Sequence, residues 1–438
     1  MFRRTAHDRA ILLLAVPALG ALVAEPVYVL TDTAIVGHLG TDELAGLAVA
    51  AAVLLSVHAA MIFLAYGTTS IVGRLLGSGD RERAAVQGVQ ALWLAGILGI
   101  AVSLVLAALA GPIVDLFGPT DDVRTHALTY LRISLVGLTG MLMVLAGTGY
   151  LRGLQNTKTP LVVAVVSAVA NLLIEIVLVF GLDMGVAGSA WSTVVVQLGS
   201  GAVYVRVITR DARSQGASMT PSLTQLGTYG RIGFQLFIRT AALRGSFVLA
   251  AAVATRMGTE DVAAHQIGME VWSLLALALD AVAIAGQALV AQELGAGREA
   301  TAREASSRMI GMSVQLGIGF GVMLAVLSPW TPSVFSSDPA VVELAGFVLL
   351  FVAAMQPLNG VVFALDGVLI GAGDLRFLAA AMVVAFGAFV AMAGFVASGG
   401  LGLGWLWAAI IGLMVVRAIP LWARFRHEGW IVTGAVTR

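Results

Sequence analysis

The chain contains an internal repeat, in which the first half matches the second half at a constant offset of 218 positions (257 − 39 = 218). LGTDELA at 39–45 aligns with MGTEDVA at 257–263, and GRLLGSG at 73–79 aligns with AQELGAG at 291–297. The same offset aligns identical residues farther on: Gly149, Leu151 and Gly153 with Gly367, Leu369 and Gly371. Such a repeat predicts two copies of one structural unit.

The composition is that of a membrane protein. Of 438 residues, 59% are hydrophobic and 11% are charged, whereas a soluble chain carries about 25% charged residues. A helix needs about 20 apolar residues to cross a bilayer, and six such runs fit in each half. We predict an all-α polytopic membrane protein with about twelve transmembrane helices in two pseudo-symmetric six-helix lobes. The predicted spans are 10–36, 44–73, 86–110, 126–150, 160–181, 186–208, 228–256, 262–291, 305–329, 340–368, 376–397 and 402–423.

The predicted lobes cover 1–210 and 228–438, and the polar stretch 211–227 is predicted to be a cytoplasmic linker. Six spans per lobe give both lobes the same polarity, so an axis along the membrane normal should relate them. Basic residues concentrate on one side, which predicts cytoplasmic termini in a multi-pass plasma-membrane protein. That side includes Arg3, Arg4, Arg9, Arg74, Arg81, Arg83, Arg417, Arg424, Arg426 and Arg438.

Ionisable residues inside the spans are costly in lipid and indicate a functional site. The repeat does not preserve them, since Asp32 aligns with Ala250 and Glu175 aligns with Ala393. The two lobes therefore share a scaffold but differ in their chemistry.

In the first lobe, Glu25 and Asp32 are seven residues apart and lie on one face of span 1. Asn171 and Glu175 are four apart on one face of span 5. If both faces point into the bundle, two carboxylates and an amide share one pocket. Like charges in a low dielectric cannot both stay ionised, so one should hold a proton, as proton coupling requires. The alternative is that these groups only join the helices.

Span 1 also contains Pro17 and Pro26, and proline inside a helix produces a kink or hinge. Protonation of Asp32 could then change how span 1 bends. Static kinks are the alternative.

The second lobe carries charges of both signs, which favours an ion-pair network over direct substrate or ion handling. These residues are Arg239 and Arg244 in span 7, Glu270 and Asp280 in span 8, and Asp366 at the end of span 10.

Several motifs resemble one known family. In the first half they are EPVYVLTDTAIVGHLG at 25–40, LRGLQNTKTP at 151–160, NLLIEIVLVFG at 171–181 and GVAGSAWST at 185–193. In the second half they are AAHQIGMEVW at 263–272, LDAVAIAGQALVA at 279–291 and LDGVLIGAGD at 365–374. In these motifs the chain resembles the multidrug and toxic compound extrusion (MATE) family, in its DinF-like branch.

This resemblance implies an antiporter that exports organic molecules in exchange for protons or sodium ions. It implies a first-lobe cation site of Asp32, Asn171 and the carboxylate at 175, with Tyr130 and Thr193 as further polar lining. Many DinF-like members resemble the pattern Asn-x-x-x-Asp at the positions of Asn171 and Glu175. Glu175 keeps the negative charge of that aspartate but places it at the end of a longer side chain. Asn359 replaces an acidic residue of another branch, which favours protons over a sodium site in the second lobe.

We therefore expect a proton-coupled exporter of amphipathic, cationic compounds, not an enzyme. The alternatives are sodium coupling, an organic-anion substrate served by Arg239 or Arg244, or a lipid-linked sugar flippase of the same superfamily. We expect no cofactor, no metal site and no nucleic-acid partner. The expected partners are a small organic substrate and the lipid bilayer, with the chain as a monomer.

Overall fold

The structure, a computed structural model, describes residues 6–435 and is built from helices, with no strand in that range. Twelve of these helices are long and apolar enough to cross a membrane, so the predicted number of spans is confirmed. Spans 1–12 are Ala6–Gly37, Thr41–Gly77, Arg81–Asp115, Asp121–Gly153, Lys158–Gly181, Gly185–Ser214, Leu223–Met257, Thr259–Gly295, Glu299–Leu327, Pro339–Ala372, Leu375–Ser398 and Leu403–Arg426.

Two spans depart from regular α-helix. Span 2 is interrupted at Ile62, between the helices Thr41–Met61 and Phe63–Gly77. Span 5 is α-helical over Lys158–Ile176 and ends in the π-helical turn Val177–Gly181. Such turns occur often at functional sites, and this one begins two residues after Glu175.

The contacts divide the chain into two compact units. The N-unit is Gly20–Gly233, and the C-unit contains the chain up to Leu19 together with the chain from Phe234 onward. The boundaries between the two units therefore fall within span 1 and within span 7. The predicted lobes, 1–210 and 228–438, describe the sequence repeat and stay a prediction. Each unit has its own apolar core, around Leu138 in the N-unit and around Trp407 in the C-unit.

The two units repeat one close helix contact at the offset of 218 residues. A Cβ atom on Gly149 would lie 2.4 Å from the carbonyl oxygen of Ala65, and one on Gly367 would lie 2.5 Å from that of Ala283. Only glycine lets the backbones of spans 2 and 4, and of spans 8 and 10, approach so closely. The repeated sequence therefore encodes a repeated helix packing.

The segment after span 6 is fastened to span 3 by hydrogen bonds. The amide of Gln90 donates from Nε2 to the Thr220 carbonyl at 2.8 Å, and its Oε1 accepts from the Ser222 backbone N–H at 2.8 Å. The Trp93 indole donates to the Met219 carbonyl at 3.0 Å. The predicted linker 211–227 thus overlaps the last turn of span 6 and the first turn of span 7, and it belongs to the N-unit.

Two of the basic residues named for the cytoplasmic side, Arg74 in span 2 and Arg417 in span 12, are buried. Arg417 lies inside span 12 with 3% of its surface exposed, so its charge carries no information on the sidedness of the chain. Its guanidinium is held there by a buried carboxylate. Arg3, Arg4 and Arg438 lie outside the described residues. The sidedness of the protein stays a prediction.

Candidate functional site

A buried carboxylate, Asp32 of span 1, forms the centre of the candidate site. It is 5% exposed, and both of its oxygens accept hydrogen bonds from hydroxyl groups. Tyr130 of span 4 donates to Oδ2 at 3.1 Å, and Ser189 of span 6 donates to Oδ1. One carboxylate therefore joins three helices of the N-unit.

A second carboxylate, Glu175 of span 5, lies beside the first. Asn171, one helical turn earlier, donates from Nδ2 to Glu175 Oε2 at 3.2 Å, and both side chains are buried. Glu175 is close enough to interact with both Asp32 and Ser189. The structure thus brings Asp32, Asn171 and Glu175 together, although their role in coupling stays a prediction.

The two carboxylates have no cationic partner in the part of the chain that the structure describes. No arginine, lysine or histidine within residues 6–435 forms an ion pair with Asp32 or Glu175. Asn171 Oδ1 and Glu175 Oε1 are buried and without a hydrogen-bond partner. The site is therefore acidic and can receive a proton or another cation.

Hydroxyl groups surround the acidic pair. Tyr28, one turn before Asp32, shares a hydrogen bond of 2.6 Å with Thr193, and Thr193 also interacts with Tyr130. The structure thus places Tyr130 and Thr193 in this site. Sequence reasoning missed Tyr28 and Ser189, although each lies one helical turn from a residue that it identified.

Glu25 lies apart from the cluster. It is 48% exposed, and its carboxylate pairs with His58 Nε2 at 3.7 Å. The two carboxylates that share a pocket are therefore Asp32 and Glu175. Seven residues place Glu25 on the same face as Asp32 but about two turns away along the helix.

The C-unit contains a buried ion-pair cluster centred on Asp366. Its Oδ2 atom accepts hydrogen bonds from Arg239 Nη2, at 2.5 Å, and from Arg417 Nη2. Of the five residues expected in a network, the structure joins Arg239 and Asp366. Arg417, which sequence reasoning did not include, is the third member, because helix packing turns this residue of span 12 towards span 10. Arg244 and Glu270 are exposed and take no part in this cluster, and Asp280 is half-buried in span 8.

Two further expectations concern metal ligands and hinges. Within residues 6–435, no three His, Asp or Glu side chains come together in an arrangement that could hold a metal ion. Span 1 is one continuous helix through Pro17 and Pro26, and their role as hinges stays a prediction.

A duplicated helical bundle with a buried site between its helices is an architecture typical of membrane transporters. The MatE family model matches the chain twice, over residues 17–177 and 236–396. These matches begin 219 positions apart (236 − 17 = 219), which differs by one position from the 218-residue offset of the internal repeat. The chain therefore belongs to the MatE family of multidrug and toxic compound efflux transporters, which are not enzymes.

Relatives and solved structures agree with this assignment. Protein DETOXIFICATION 44, chloroplastic, of Arabidopsis thaliana is 31% identical, with 93% of this chain and 80% of the relative covered. DNA damage-inducible protein F of Escherichia coli (strain K12) is 25% identical, with 97% and 93% covered. The outward-facing structure of a multidrug resistance MATE family transporter of the MOP superfamily superposes with a TM-score of 0.89. It is 20% identical, with 98% of this chain and 97% of that chain covered. The predicted DinF-like resemblance is confirmed.

Proposed function

We propose that this protein is a proton-coupled antiporter that exports amphipathic organic cations, with Asp32 and Glu175 as the coupling pair. The observation that carries the proposal is that two buried carboxylates lie side by side without a cationic partner in the described residues. The chain acts as a monomer in the plasma membrane, with cytoplasmic termini.

Two adjacent carboxylates in a low dielectric favour the uptake of one proton. Coulomb repulsion and lost hydration both oppose double ionisation, so the pair holds a proton in one of the conformations of the transport cycle. The Ser189 hydroxyl donates to Asp32 Oδ1 and lies near Glu175, so it is placed to relay a proton between the two carboxylates. A proton can thus move between them without a large movement of the helices.

Proton uptake is linked to span 1 through Asp32. The bonds from Tyr130 and Ser189 hold this part of span 1 against spans 4 and 6. Pro17 and Pro26 lie on either side of Gly20, where the chain passes between the two units. When Asp32 becomes neutral, its hydrogen bonds weaken, and span 1 bends at these prolines.

The charge of the site supports a cationic cargo. An acidic group in an apolar protein attracts positively charged molecules and repels anions. Of the two arginines that could serve an organic anion, Arg239 binds Asp366, which leaves the exposed Arg244 as the one candidate of that pair. The MatE match over both halves favours a drug or metabolite exporter over a lipid-linked sugar flippase.

Sodium coupling is the second candidate, and one observation favours it. The unpartnered oxygens of Asn171 and Glu175 are the ligand type that hard cations prefer. The side chain of Glu175 is longer than that of aspartate, which also lets its Oε1 atom approach Asp32.

Efflux from proteoliposomes under separately imposed gradients tests both candidates. We expect a pH gradient alone to drive efflux of a cationic dye and a sodium gradient alone to drive none. Asp32→Asn should abolish the pH-driven efflux, because it removes the charge but keeps the shape. Glu25→Gln is the matched control in span 1 and should retain efflux. Sodium-driven efflux would replace the proton proposal with the second candidate, and full activity of Asp32→Asn would reject both.

A further inference from the structure

A cleft outside the acidic site lies at one end of the N-unit. It has a volume of about 220 Å³ and is formed by the start of span 3 and the ends of spans 4 and 6. Its lining combines one cationic, one anionic and several apolar side chains: Arg81, Tyr150, Leu154, Val207, Asp211 and Gln215. The cleft thus contains both signs of charge next to an apolar wall.

The anionic group of the cleft is held in position by its neighbours. Tyr150 is 1% exposed and donates its hydroxyl hydrogen bond to Asp211 Oδ2. A Cβ atom on Gly88 would lie 2.5 Å from Cδ2 of Tyr150, so only glycine lets the ring lie against span 3. The ring therefore fixes the Asp211 carboxylate before any ligand arrives.

The cationic group of the cleft does not neutralise this carboxylate. Arg81 and Asp211 line the same cleft, yet no ion pair joins them in the structure of residues 6–435. Two opposite charges that share a cavity without forming an ion pair are suited to a ligand with one positive and one negative end. A small zwitterion can satisfy both groups at once.

The helical scaffold does not require these residues. At the offset of 218 residues, Arg81 aligns with Glu299, Tyr150 with Val368 and Asp211 with Gly429. The C-unit builds the same bundle without this chemistry. The charges of the cleft are therefore not part of the packing that the two units share.

We propose that this cleft binds the ammonium–phosphate head group of phosphatidylethanolamine. Arg81 binds the phosphate, Asp211 accepts hydrogen bonds from the ammonium, and the acyl chains leave along Leu154 and Val207. The cleft lies where the spans end, which is the depth of lipid head groups. Its volume of about 220 Å³ is well above the ~10–15 Å³ that one water molecule needs, so the cleft can hold a ligand larger than water.

The chemistry of the cleft selects among head groups. A primary ammonium has three N–H donors for Asp211, whereas the trimethylammonium of phosphatidylcholine has none and prefers an aromatic cage. Tyr150 is the single aromatic residue of the lining, and its hydroxyl is already bound to Asp211. Phosphatidylglycerol has no cation, so its binding would leave the carboxylate unpaired.

Native mass spectrometry of the purified full-length protein tests the proposal by counting bound lipids. We expect phosphatidylethanolamine to bind about tenfold more tightly than phosphatidylcholine or phosphatidylglycerol. Arg81→Ala and Asp211→Asn should each reduce that affinity about tenfold. Arg83→Ala is the matched control, because Arg83 is exposed on the same helix and pairs with Asp80 instead.

Several results would overturn the proposal. Equal affinity for the three lipids would remove the selectivity, and unchanged binding by Arg81→Ala would remove the phosphate site. Soluble phosphoethanolamine that displaces the lipid at equal concentration would show that a free zwitterion occupies the cleft instead. If Asp211→Asn has a lower melting temperature than the parent protein, the lipid affinities of Arg81→Ala and Arg81→Glu decide the question. Arg81 is exposed, and its replacement leaves the hydrogen bond between Tyr150 and Asp211 intact.

Discussion

Tyr130 donates a hydrogen bond to Asp32 across 3.1 Å, from the interior of span 4 to the interior of span 1. Both side chains are buried, so neither can exchange this bond for one to bulk water. The bond supplies a hydrogen-bond donor to one carboxylate oxygen of Asp32 inside the protein. In the proposed mechanism, proton uptake at Asp32 therefore changes an interaction between two helices, spans 1 and 4.

Tyr130→Phe removes the hydroxyl but keeps the ring. A hydrogen bond to a charged group contributes about 1.5–3 kcal/mol, so we expect pH-driven dye efflux to fall at least about tenfold. The measurement is the initial rate in proteoliposomes at matched protein content. Tyr204→Phe is the control, because Tyr204 is equally buried but bonds to Thr148. An undiminished rate for Tyr130→Phe would remove this bond from the coupling mechanism.

Asp366→Asn leaves Arg417 buried without its carboxylate partner. Removal of one member of a buried ion pair costs about 3–5 kcal/mol, so we expect a clearly lower melting temperature in detergent. Glu428→Gln is the control, since it breaks an ion pair with Arg303 whose partners are both about half exposed, and it should change the melting temperature little. Equal melting of both variants and the parent would show that the Asp366 cluster is not a structural network.

Gly149→Ala and Gly367→Ala should have similar effects on stability. Each new methyl group would overlap a backbone carbonyl of the neighbouring helix, and such overpacking costs about 1–3 kcal/mol. Melting temperatures of the two variants should both fall. Gly199→Ala is the control, because nothing lies within 4 Å of its Cβ position and alanine favours the helix. A loss in only one unit would contradict the repeated packing.

Gln90→Leu should release the segment after span 6. The variant loses both hydrogen bonds to the linker while it keeps a side chain of similar size. We expect faster amide hydrogen exchange in peptides that cover 215–222, because the Ser222 N–H loses its acceptor. Exchange in span 9 of the C-unit provides the internal control. Unchanged exchange at 215–222 would mean that other contacts hold the linker.

The sequence predicted the elements of this fold better than their contacts. Hydrophobic run length identified the spans because a bilayer requires a minimum of apolar residues in every crossing helix. The break at Ile62 and the π-helical turn Val177–Gly181 leave no pattern in hydropathy, so sequence reasoning did not find them. Both depend on how side chains of neighbouring helices fit together.

The sequence predicted the part of the site whose residues lie on one helix. Asn171 and Glu175 are four residues apart, and this spacing alone makes them neighbours. Glu25 and Asp32 have an equally regular spacing, but one pairs with His58 and the other with hydroxyls of spans 4 and 6. The rotation of each helix about its axis makes that difference, and the surrounding helices set that rotation.

By itself, the sequence determined the membrane class, the twelve spans, the duplication and the family, because these follow from apolar length, periodicity and motifs along the chain. Only the tertiary structure decided that Ser189 and Tyr28 join the acidic pair, that Arg417 binds Asp366, and that Arg81 and Asp211 share a cleft. These residues are distant along the chain, and helix packing alone brings their side chains together.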